Sequence, residues 1–158
     1  MRVPLILAAA AALLHGCAAP GVVTRSELTS TLTGYQATPG PGDLDGTGTA
    51  RVRVDAEAGR LCWDLNVRGI DPASAAHIHR GEAGGVGPPV VPLTAPDAAG
   101  RSEGCAAVAA ELAAEMIGRA HAFYVNVHNP AFAAGAIRGQ LRGRPDRPSQ
   151  PVPPPIRR

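Results

Sequence analysis

From residue 27 onward, apolar and polar positions alternate with a period of two. Leu28, Ser30 and Leu32 alternate with Glu27, Thr29 and Thr31, the pattern of a half-buried strand. Thr49 to Asp55 is the cleanest case, with Ala50, Val52 and Val54 on one side and Thr49, Arg51, Arg53 and Asp55 on the other. Leu61, Trp63, Leu65 and Val67 then share a face opposite Cys62, Asp64 and Asn66. The connection between these two strands, ending in Gly59, has hairpin length, so they are predicted to pair antiparallel. Val90–Leu93 (blunted at Pro92), Ser102–Ala107, Ala122–His128 and Ala136–Leu141 continue the series, with Gly/Pro-rich turns between them. One stretch breaks it: Val108–Arg119, rich in Ala and Glu, carries Leu112, Met116 and Ile117 at helical spacing. The pattern predicts an all-β, antiparallel Greek-key sandwich or barrel of about eight strands with one short helix.

The ends follow different rules. Arg2 and the apolar run Val3–Leu14 read as a secretory signal over residues 1–16, too short for a permanent span. Leu14-His15-Gly16-Cys17 resembles a bacterial lipobox, with His15 an unusual occupant, so Cys17 is predicted to carry lipid. The alternative is ordinary cleavage near Ala18-Ala19, where Pro20 is an unfavourable neighbour. Residues 17–25 form a tether, 26–142 the domain, and 143–158 a Pro/Arg-rich tail expected to be disordered. The expected location is the bacterial cell envelope, lipid-anchored to a membrane; with ordinary cleavage it is secreted or periplasmic and soluble.

Charge and cysteine content sharpen this reading. Between residues 26 and 142, nine Arg face twelve Asp and Glu, so the domain is mildly acidic and carries no nucleic-acid footprint. Cys17 aside, Cys62 and Cys105 are an even pair in an exported, oxidising setting, which predicts one disulfide. It would close a loop of about 44 residues, worth roughly 4 kcal/mol by chain entropy; two buried free thiols are the alternative.

The chemical signal lies in AHIHRGEAGGVGPPVVP at 76–92 and FYVNVHN at 123–129. On a strand, His77 and His79 share one face, roughly 6.5 to 7 Å apart along the backbone. With Ile78, Val125 and Val127 facing the core, His77, His79 and His128 all lie on outer faces. Imidazole suits copper and zinc, so these three form a candidate metal site, with Asp64, Asn66 or Glu82 as candidate partners for the second ring nitrogens. The alternative is a polar hydrogen-bond cluster. Arg138 is expected to steer a small anion, pair with Glu82, or bind backbone carbonyls. Trp63 is read as core, Asp43 and Asp45 as a turn, and His121 as a helix-end residue.

Three runs, TGTARVRVDAEAGRLCWDLNVRGI, PASAAHIHRGEAGGVGPPVVPL and FYVNVHNPAFAAGAIRGQL, resemble the CHRD domain, over about Ser26 to Arg142. The resemblance implies an extracellular β-sandwich module and names no activity for bacterial members. A looser similarity, to the copper,zinc superoxide dismutases, rests on His77-x-His79, Val127-His128 and Arg138 after Gly135. The bridging histidine expected there in a G-P-H context is replaced, because this chain reads Gly87-Pro88-Pro89. Zinc histidines and an evident zinc aspartate are missing as well, so neither a zinc site nor a complete dismutase is expected.

The leading expectation is a lipid-anchored, non-catalytic binding or scaffold module, partnered by the membrane and by an unidentified envelope protein or extracellular ligand. A periplasmic copper-binding protein comes second. Redox catalysis at that copper comes third.

Overall fold

The computed structural model describes residues 24–145. The leader, Cys17 and the residues after 145 lie outside the described residues. Nine strands and one α-helix make up the domain: β1 Arg25–Thr33, β2 Thr47–Asp55, β3 Arg60–Arg68, β4 Ala75–Arg80, β5 Pro89–Leu93, β6 Arg101–Ala107, α1 Ala110–Gly118, β7 Phe123–His128, β8 Ile137–Gln140 and β9 Arg142–Pro145.

The period-two pattern dictates the core. Leu28, Leu32, Val52, Leu61, Leu65, Ile78, Val125, Val127 and Ile137 are all fully buried. Each such aliphatic side chain contributes about 1.5 to 3 kcal/mol of transfer free energy. The strand order is β5-β4-β7-β8-β1-β2-β3-β6, with every neighbouring pair antiparallel. The ends of this path, β5 and β6, are consecutive in the chain and lie side by side, where Ser102 Oγ donates to Thr94 O at 2.6 Å. The sheet thus curls into a nearly closed barrel, which leaves little free edge. Two connections cross between distant strands, β3 to β4 and, through α1, β6 to β7. The helix contributes Ala113 and Met116 to the core.

Trp63 is core, as its face predicts, and its Nε1 donates to Ser102 Oγ at 3.0 Å. Cys62 and Cys105 sit directly opposite each other on β3 and β6 and form the expected disulfide. Asp45 N–H donates to Asp43 Oδ1, so that segment is a turn.

The C-terminal boundary differs from the sequence reading. A single closing strand over Ala136–Leu141 becomes two, because Leu141 N–H donates to Phe123 O at 2.8 Å and the chain then crosses to pair with β1. Pairing continues to Pro145, beyond the predicted start of the tail at Gly143. A polar Arg-Gly-Arg-Pro run carries no apolar alternation, so nothing in the pattern marks it as a strand.

Candidate metal centre

The site is built on the outer face of three adjacent strands. The register sets Ala75 opposite His128, His77 opposite Asn126, and His79 opposite Tyr124. β8 extends two of these rows, with Arg138 opposite Asn126 and Gln140 opposite Tyr124. Alternation places all of these on the face away from Val125 and Val127. The β4–β5 pairing shifts register between Ile78 and His79, with Val90 as the extra residue on β5, while β4 keeps an unbroken register with β7.

Two loops, residues 81–88 and 129–136, fold over this outer face. Phe123 to Val127 is therefore buried on both sides, Tyr124 at 2% and Asn126 at 4% exposure. Loop carbonyls meet the histidines. His79 Nδ1 lies 2.9 Å from Gly87 O and His128 Nδ1 lies 2.9 Å from Ala133 O. A carbonyl only accepts, so each Nδ1 carries the proton and donates it, which leaves a lone pair on each Nε2.

His79 Nε2, His128 Nε2 and His77 Nδ1 are all buried without a hydrogen-bond partner among the described residues. One ligating nitrogen from each ring lies within 4.8 Å of the others. The ring centroids are 5.6 Å (77–79), 5.3 Å (77–128) and 6.0 Å (79–128) apart. Three nitrogens held at about 2.0 to 2.1 Å from one ion lie about 3.5 Å apart in a trigonal shell, so the rings would draw together to close one. Each orphaned buried acceptor otherwise costs about 1 to 3 kcal/mol, so clustering three of them is an expensive arrangement for a purely structural polar cluster.

Burial favours the neutral forms of His77 and His79. Burial pushes His77 below its ordinary value, and the His128 and His79 rings push it the same way. Burial also lowers His79; the Gly87 hydrogen bond opposes this, and His128 and Arg138 reinforce it.

Arg138 is 2% exposed. It donates to Gly85 O at 2.7 Å and to Glu82 O at 3.0 Å, so it binds the backbone carbonyls of the loop. The Glu82 carboxylate instead faces Arg119 at 3.8 Å. The guanidinium lies 3.5 Å from the Tyr124 ring centroid, and Tyr124 stacks on His79 at 4.9 Å with 13° between the planes. The predicted orienting side chains are not used: carbonyls replace them, and Asp64 pairs with Asn66 on β3. His121 is exposed, on a turn of 3-10 helix after α1, and its carbonyl accepts from Gln140 Nε2 at 2.6 Å.

Sequence reasoning missed Gly87 and Ala133 as orienting groups and Tyr124 as the ring between His79 and Arg138. Gly87 left one trace. A Cβ there would lie 1.6 Å from Arg80 O, so only glycine lets this loop approach β4 closely enough to reach His79.

A family model for the CHRD domain matches residues 28–141. The chain belongs to the CHRD domain family. That match spans β1 to Leu141 and so includes the three histidines, Arg138 and both disulfide cysteines of this CHRD domain. Neither the curated proteins nor the solved structures gave a match to the chain.

Proposed function

We propose that this CHRD domain is a copper-binding module of the bacterial cell envelope, with His77, His79 and His128 as ligands and Cys17 as its lipid anchor. One observation carries the reading: three buried imidazole nitrogens converge, and none has a hydrogen-bond partner among the described residues. Two of the rings are oriented by carbonyls in the manner of metal-bound histidines. Imidazole nitrogen suits copper, and three such ligands are enough to hold it. The leader and the Leu14-His15-Gly16-Cys17 run support export and anchoring.

The test is a copper titration of the protein beside a His77→Ala, His79→Ala, His128→Ala triple variant, followed by thermal unfolding. A ligand that binds only the folded state adds about 2.7 kcal/mol of stability at a hundredfold excess over Kd. A one-to-one site present in the parent and absent in the variant supports the proposal; equal behaviour overturns it. Superoxide turnover lost in the same variant would extend binding to redox catalysis.

A second reading is a non-catalytic module for an envelope partner, consistent with a family of binding modules. It is favoured by an uncovered groove of about 730 Å³ on the outer face of β1–β3, lined by Thr29, Thr31, Thr49, Asp64 and Asn66 among others. It predicts that partner binding survives the triple variant.

A further inference from the structure

We infer that the three-histidine site selects monovalent copper, Cu(I), over Cu(II) and other divalent ions. The inference rests on the copper reading above and specifies the ion's charge.

Three neutral imidazoles supply no negative charge. Among the described residues, the cluster able to hold an ion contains these three histidines and no carboxylate or thiolate. A fixed positive charge stands beside the site. Arg138 is buried, and its hydrogen bonds go to the neutral carbonyls of Gly85 and Glu82. The carboxylates around the loop are engaged elsewhere, Glu82 with Arg119 and Glu115 with Arg80. The guanidinium therefore faces the site through a single ring, Tyr124, which contacts both Arg138 and His79.

Repulsion between this cation and a bound ion scales with the ion's charge, and burial weakens solvent screening. A divalent ion thus meets twice the penalty of a monovalent one, and it loses more hydration on entering. Coordination number points the same way. Cu(II) prefers tetragonal shells of four or more ligands, whereas three nitrogens suffice for Cu(I). The same arithmetic turns away Zn(II).

The experiment measures two dissociation constants on the full chain. Cu(I) is titrated anaerobically with ascorbate against a bicinchoninate competitor, and Cu(II) in air against nitrilotriacetate, with Zn(II) as a divalent control. The Cu(II)/Cu(I) ratio of Kd values is expected to exceed about a hundred. Arg138→Met should lower that ratio about tenfold, equivalent to about 59 mV in the potential of the bound copper. Arg138→Lys, which keeps the charge, should leave it within about threefold. Cu(II) binding as tight as Cu(I) in the parent overturns the inference whether or not the variants fold, as does an unchanged ratio in a folded Arg138→Met protein. Binding of neither ion overturns the three-histidine reading itself.

Discussion

Arg138 and Tyr124 form a buried cation–π contact, with the guanidinium carbon 3.5 Å from the ring centroid and both residues at 2% exposure. The tyrosine's other neighbour is His79, so one aromatic ring couples the loop-binding arginine to a candidate metal ligand.

Replacing that ring separates its two contributions. Tyr124→Phe removes hydroxyl contacts to Gly87 and should cost about 0.5 to 1.5 kcal/mol. Tyr124→Ala also removes the stacked ring and should cost about 3 to 5 kcal/mol. Urea unfolding of both variants measures the difference, and equal losses would mean that the ring carries no packing of its own.

Gly87→Ala should loosen metal binding more than it loosens the fold. The new methyl would collide with Arg80 O, displace the Gly87 carbonyl and release His79 Nδ1. Loss of such an orienting partner typically lowers metal affinity about 10- to 100-fold. Metal titration and thermal unfolding, run together, check the contrast.

Acid should destabilise the metal-free domain through His77 and His79. Both fold with pKa values below 6.5. As pH falls through about 6.5 the unfolded chain takes up protons that the folded chain refuses, so stability falls with decreasing pH until the lower folded values are reached. Their contribution is complete above that window. Denaturant midpoints from pH 8 to 5 should show the decline, flattened in a His77→Ala, His79→Ala variant.

Removing the disulfide should cost about 2 to 4 kcal/mol without disturbing the site, because Cys62 and Cys105 join β3 to β6, neither of which pairs with β4 or β7. Unfolding and metal titration of a Cys62→Ala, Cys105→Ala variant check both halves of that statement.

The barrel was legible because its two-residue period is written in side chains that have little choice. Leu28, Val52, Leu61 and Val127 bury on one face and fix the strands that carry them. The histidines were legible for the same reason, since alternation alone assigns His77, His79 and His128 to the outer face. What surrounds them was not. Gly87 and Ala133 act through backbone carbonyls, which every residue possesses, so no residue type announces them. Arg138 pointed equally to an anion, to Glu82 and to carbonyls until the loop's path was known. β9 escaped because its pairing rests on the backbone, with Gly143 lying against Leu28.

That last strand has an architectural consequence. β9 runs antiparallel beside β1 with Ser26 opposite Pro145, so the two ends of the described domain leave together. Residues paired in this way stand only about 5 Å apart. A few added residues could join them into a ring, and new termini could be opened at the exposed hairpin between β2 and β3. Equally, the whole barrel could be spliced into a surface loop of a host protein at a single point, entering and leaving through one narrow doorway while its histidine face stays intact.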